Sequence, residues 1–212
     1  IESALLAVGY LGAKPERRRV EVVKRARAAA IDLEWESGAR YRFGDVRFSE
    51  ETPFPPEFLD RFIPWEPGEY YSAEQLLAFQ QRLIDADYFA TVSVQPDMEE
   101  ARDLSVPIET LLTPAKPSVY TGSVYVSTDA GPGVRLAIDR RWVNRRGHKF
   151  DADIEYSDRL QELALGYHVP RPGRNLRILN VRTAYRDETT HTSNSRMVRA
   201  TANEAREWRG FK

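Results

Sequence analysis

The chain has 212 residues, enough for one or two domains with buried cores, and its 31 Lys plus Arg against 32 Asp plus Glu leave no net field to draw nucleic acid. Cysteine is absent, which excludes disulfides, thiolate metal sites and cysteine nucleophiles together. No apolar run approaches the roughly 20 residues of a spanning helix and no signal peptide opens the chain at Ile1, so an exported protein would have lost its signal, or the sequence is a piece of a longer one.

In chain order, Glu2 to Gly9 reads as the end of an amphipathic helix with Leu5, Leu6 and Val8 apolar and Gly9 as its stop. Lys14 to Arg27 carries seven Lys or Arg around Val20, Val22 and Val23; with no aromatic interleaved for stacking, it reads as a solvated strand face and loop rather than a nucleic-acid or lipid patch. Ala29, Ile31, Leu33 and Trp35 alternate with Ala30, Asp32, Glu34 and Glu36, a half-buried strand that ends at Ser37-Gly38.

Tyr41 to Phe48 alternates in two halves out of phase across Gly44, as a strand with a bulge would. Pro56 to Phe62 reads as a short helix stopped by Pro64. Ser72 and Gln75 have the spacing of a capping box, with Tyr71 before them able to staple onto Leu76, and a helix is expected from here with Leu76, Leu77, Leu83 and Ile84 on its apolar face. The period then changes to Ala90, Val92, Val94, a strand ending at Pro96. After the acidic turn Asp97 to Asp103, Leu104, Val106 and Ile108 alternate again, and Pro107, lacking an amide hydrogen, should face away from the ladder or lie at an edge.

This strand, helix, helix, strand, strand order, with the Tyr-Ser start of the second helix and its Asp-Tyr-Phe exit, resembles the polypeptide-transport-associated (POTRA) domain of outer-membrane assembly proteins. On this resemblance residues 38–114 are one complete POTRA domain. Residues 1–37 are the C-terminal part of a preceding one, Gly9-Tyr10 paralleling Asp87-Tyr88.

Beyond the hinge Pro114 to Pro117 the helical period disappears. Val134, Leu136, Ile138 and Trp142 oppose Arg135, Ala137, Asp139 and Arg141, with Arg140 the exception on the apolar side. After the turn Asn144 to Gly147, His148, Phe150, Ala152, Ile154 and Tyr156 oppose Lys149, Asp151, Asp153, Glu155 and Ser157. Leu163 to Val169 and Leu179 to Tyr185 continue the pattern, which is poorer from Arg196 to Trp208. Alternation of this length fits a transmembrane β-barrel, and it also fits a soluble antiparallel sheet with one wet face. The resemblance decides between them, because POTRA domains are typically followed by a barrel. The stretch Arg140-Arg141-Trp142-Val143-Asn144-Arg145-Arg146-Gly147-His148 is similar to the second barrel strand and turn of the TamA family, as are Tyr41 to Phe48, Ser127 to Pro132 and Ser195-Arg196. The expected fold is therefore an α+β POTRA domain (β-α-α-β-β) followed, over residues 115–212, by about six antiparallel strands of an incomplete transmembrane barrel. Trp208 to Phe211 echoes an Arg-Gly-Phe/Tyr loop motif of these barrels but arrives too early in the strand order to carry its role.

The resemblance implies a non-enzymatic outer-membrane assembly factor, its POTRA domains in the periplasm, with the lipid bilayer, an inner-membrane-anchored TamB-like protein and autotransporter-type clients as partners. No catalytic residue, cofactor, metal or nucleic acid is expected. His148, His168 and His191 lack ligand spacing, Asp129 to Gly133 reads as a hairpin turn rather than a phosphate loop, and Asp97, Glu99, Glu100 and Asp103 lack a calcium-loop pattern. Asp151, Asp153 and Glu155 share a strand face on which Lys149, Arg135, Arg141 and Arg159 are at hand to neutralise them. The strand after the hinge, Val119 to Thr128, alternates worst, with Gly122 and Ser123 in place of large apolar groups. Val119, Gly122, Ser123 and Tyr125 are thus candidates for a lateral seam that pairs with client strands. Rival readings are a BamA or two-partner secretion relative, the POTRA and barrel tail of a patatin-like phospholipase, and a soluble α+β binding protein.

Overall fold

The computed structural model describes residues 2–23, 28–171, 177–190 and 192–206. His191, the basic residues Lys24, Arg25 and Arg27, and the Trp208 to Phe211 motif lie outside them. Helix α1 (Glu2–Ala7) leads to the antiparallel pair β1 (Lys14–Val23) and β2 (Ala28–Glu36). Then come β3 (Arg42–Phe48), α2 (Pro56–Leu59) continued by a 3-10 turn at Asp60–Phe62, α3 (Ala73–Asp85), β4 (Phe89–Pro96) and β5 (Ser105–Pro114). Six further strands are described after these: β6 (Ser118–Ser127), β7 (Gly131–Arg140), β8 (Lys149–Ser157), β9 (Leu160–Arg171), β10 (Arg177–Thr189) and β11 (Asn194–Arg206).

By compactness the chain forms two units, residues 1–49, 64–81 and 92–111 in the first and residues 50–63, 82–91 and 112–212 in the second. In the first, β3, β5 and β4 form a sheet in that order, with β3 parallel to β5 and its register broken between Phe43 and Val46, the bulge expected at Gly44. Pro107 is not at an edge, because β5 is the central strand. Its carbonyl accepts the Asp97 N–H at 2.8 Å, and since the amide and carbonyl of a strand residue point the same way, the missing hydrogen falls where β4 has already ended. The core is aromatic: Phe43 stacks on Trp65 at 3.9 Å and tilts against Tyr71 at 5.1 Å, while Phe79 meets Trp65 and Phe48 edge-on.

Helix α3 buries Leu76, Phe79 and Leu83, a three- and four-residue spacing. Leu77 and Ile84, expected on the apolar face, are exposed, because Phe79 shifts that face by part of a turn. Leu104 is likewise exposed and sits with Asp103 at positive φ in the turn, so β5 begins one residue later than expected. Both α1 and α3 exit through a positive-φ residue followed by a tyrosine, Gly9-Tyr10 and Asp87-Tyr88.

In the second unit β6 to β11 form a meander, each strand paired with the next, so that β6 and β11 are the edges of a six-stranded sheet. Directly opposed residues agree in character: Leu136 faces Ile154 and Ile154 faces Leu163, Phe150 faces Tyr167, and Tyr167 faces Val181. On the other face Arg135 opposes Glu155, Glu155 opposes Glu162, and Glu162 opposes Arg186. A one-residue slip of any strand would mix the two sets, so the alternation fixes the register. The apolar set is exposed, Leu136 at 58% and Ile154 at 50%, which a soluble sheet of this size would cover. The apolar face carries the directly opposed Phe150 and Tyr167 toward one end and Tyr156 toward the other, with Tyr120 in the row of Ala152 and Tyr185 in the row of Ile154 between them. Along β8, Phe150 and Tyr156 are six residues apart, about 20 Å at the usual strand rise.

Candidate functional site

Two features of the second unit bear on function, the polar face of the meander and the turn between β7 and β8. On the polar face, Arg135 donates to Asp153 at 2.7 Å, and Arg182 lies 3.7 Å from Asp151 and 3.8 Å from Asp153. His168 spans Asp151 and Asn180 with its two ring nitrogens at 2.6 and 2.7 Å, and Asn180 passes the chain on to Asn203 at 2.9 Å. Arg186 bridges Glu162 and Glu188. Asp151 and Asp153 are thus paired with arginines, as expected, while Glu155 accepts the Tyr125 hydroxyl, and of the four expected cations Arg135 joins the network. Lys149 donates to the Ala86 carbonyl, Arg141 to Asp87 and Arg159 to the Asp129 carbonyl. Arg182 takes their place and His168 adds a hydrogen bond to Asp151, because the cross-strand register brings both beside β8, a relation that spacing within one strand cannot reveal.

The turn after β7 is built by its own side chain. Asn144 Oδ1 accepts the N–H groups of Arg146 and His148, and Gly147 takes φ +72°, a left-handed conformation natural to glycine. Trp142, expected on the strand, falls just beyond it and meets Phe54 edge-on at 5.8 Å. Phe54 stacks on Phe58 at 4.7 Å, and Phe58 packs so closely on Gly147 that a Cβ there would overlap its ring. The buried Tyr88 hydroxyl donates to the Gly147 carbonyl at 2.6 Å, and burial pushes that phenol above its ordinary pKa, keeping it a donor. Arg141 holds Asp87 at 2.8 Å and the Lys116 carbonyl at 3.2 Å, and Lys149 lies 4.6 Å over the Tyr88 ring. Burial first, and then the Arg146 cation, lower the pKa of His148, which faces the Tyr167 hydroxyl at 3.0 Å.

Of the residues singled out in the sequence, Arg141, Trp142, Asn144 and Gly147 converge here, while Arg140 turns away to the Ser118 hydroxyl at 3.1 Å. Tyr88, Phe54 and Phe58 were not singled out; the Asp-Tyr-Phe exit of α3 was the one trace of them. Among the seam candidates, Val119, Ser123 and Tyr125 alternate to the polar face and Gly122 to the apolar one. Tyr125 crosses Gly133 of β7, whose missing side chain leaves it room, and donates to Glu155 of β8 at 2.6 Å. A Cβ on Gly122 would meet only Leu136, at an ordinary 3.5 Å, so space does not demand glycine there. In the first unit, Ser72 starts α3 with its carbonyl accepting the Leu76 N–H. Gln75 does not close the reciprocal capping box, because its amide donates to Glu69 at 2.8 Å. Among the described residues no group of histidines and carboxylates is arranged to hold a metal, and no helix is long and apolar enough to cross a membrane.

The family model "POTRA: Surface antigen variable number repeat" matches residues 41–110. BamA from Haemophilus ducreyi, in a form lacking POTRA domains 1–3, is similar over 96% of this chain and 38% of its own length, at TM-score 0.75 and 16% identity. CdiB from Acinetobacter baumannii matches at TM-score 0.54 and 12% identity, and CdiB from Escherichia coli at 0.55 and 13%, each over 91% of this chain and 36% of its own. The chain therefore spans well under half the length of these proteins. At such identities the likeness is one of fold: residues 41–110 are a POTRA domain, and the open antiparallel sheet after it has the architecture of part of a BamA-type barrel.

Proposed function

We propose that the chain belongs to an outer-membrane assembly or secretion factor whose POTRA region, residues 38–114, works in the periplasm and whose strands from residue 115 onward sit in the bilayer, apolar face to lipid and polar face to a watery lumen. The carrying observation is the segregation of faces across β7 to β10, with an ion network on one side and uncovered apolar side chains on the other. The shared positive-φ exits of α1 and α3 support reading residues 1–37 as part of a preceding POTRA domain. The finer assignment, a TamA-type factor with a TamB-like partner and autotransporter-type clients, rests on the sequence resemblance around Arg140 to His148.

In this reading β6 is the seam. Among the described strands it is hydrogen-bonded to β7 alone, and its second edge carries backbone donors and acceptors that an incoming client strand can pair with. Tyr125 ties one end of the strand to Glu155, so opening would start at the Val119 to Ser123 end. A cysteine replacing Ser123 in the intact protein should crosslink to a client's terminal strand during assembly, and one replacing Ala152 of β8 should not. Equal crosslinking from both strands would leave β6 without a seam role.

A further inference from the structure

The turn between β7 and β8 carries Arg145 and Arg146, both exposed, and neither is engaged by an acidic side chain in the hydrogen bonds and ion pairs around it. Asp87, which lies near the turn, is taken by Arg141. The two guanidinium groups project from a backbone fixed by the Asn144 side chain and by the Val143 N–H, which donates to the His148 carbonyl at 2.7 Å. They stand just beyond Phe150 and Tyr167 at this end of the apolar face, and Val143 beside them is 45% exposed. The opposite ends of these strands differ in charge: the β6–β7 turn carries Asp129, and the β8–β9 turn carries Asp158 beside Arg159. An uncompensated pair of cations on a rigid turn at the edge of an apolar band, with aromatics just inside, fits the interfacial depth at which phospholipid phosphates lie.

We propose that Arg145 and Arg146 bind the headgroups of anionic phospholipids in the leaflet at this end of the strands, anchoring the turn that Trp142 and Gly147 pack against Phe54 and Phe58. The inference rests on the strands being membrane-embedded, and the test separates the two. The intact protein is reconstituted in phosphatidylcholine discs containing a minor fraction of phosphatidylglycerol and then extracted in mild detergent, and the lipids that remain bound are counted by mass spectrometry. One arginine near an anionic surface favours such lipids by about fivefold. Wild type should therefore retain phosphatidylglycerol at least about fivefold over its bulk ratio, R145K/R146K should keep most of that preference, and R145Q/R146Q should return to the bulk ratio while still inserting. Wild-type retention at the bulk ratio, or unchanged retention in R145Q/R146Q, overturns the headgroup site and leaves the barrel intact. A wild type that enters no disc overturns the membrane reading and this site with it.

Discussion

Replacing Gly147 by alanine should destabilise the protein by on the order of 2 to 5 kcal/mol, combining about 1 to 2 for a left-handed non-glycine residue with about 1 to 3 for overpacking. The larger part arises because the new methyl group would overlap the Phe58 ring and stand 2.9 Å from the Tyr88 hydroxyl, in a cluster where Phe54, Phe58 and Tyr88 are each 3% exposed. The turn cannot move away from them without breaking the Tyr88 hydrogen bond and the Arg141–Asp87 pair. Gly68 is the control, because its φ of +77° is as left-handed but nothing lies within 4 Å of its built Cβ. Gly68→Ala should cost only the conformational part, about 1 to 2 kcal/mol. Chemical denaturation of the two variants side by side separates packing from backbone strain, and equal costs would remove the packed turn from the account.

Ile154→Arg should cost roughly 2 to 4 kcal/mol in the membrane-inserted protein, since Ile154 lies between Phe150 and Tyr156 on the face assigned to lipid. The adjacent Asp153 is a poor control, because it neutralises both Arg135 and Arg182, and an arginine there would add repulsion unrelated to the membrane. Thr121 is better placed. It lies opposite Ala137, which in turn lies opposite Asp153, so an arginine at 121 enters the polar face at the same depth and leaves the Asp153 pairs with Arg135 and Arg182 in place. Thr121→Arg should cost about 1 kcal/mol or less. Equal costs, or the reverse order, would mean that the apolar face does not meet lipid.

The elements were legible where one periodicity ruled a segment. The bulge at Gly44, the handover from α3 to β4 and the alternation of β8 follow from spacing alone, since burial on one face selects it. The face of α3 was misjudged because Leu77 and Ile84 look like core residues until Phe79 is seen to set the direction of burial. Pro107 is expected from sequence to face away from the ladder or to lie at an edge, because sequence shows the missing amide hydrogen but not where the neighbouring strand stops. The cations of the ion network were partly missed for the same reason: Arg182 reaches Asp151 and Asp153 from two strands away. The joint of Tyr88 with Gly147 spans 59 positions of sequence, and no local pattern in either stretch names its partner.

The central claim is that the strands after the POTRA domain present one face to lipid and one to water, and β8 tests it most directly. Single cysteines from Lys149 to Ser157 in the membrane-inserted protein would be probed in parallel with a water-soluble maleimide and a lipid-phase quencher. The account predicts a period of two: positions 151, 153 and 155 labelled from water, and positions 152, 154 and 156 reached only from lipid. Uniform labelling from water along the whole strand would contradict it.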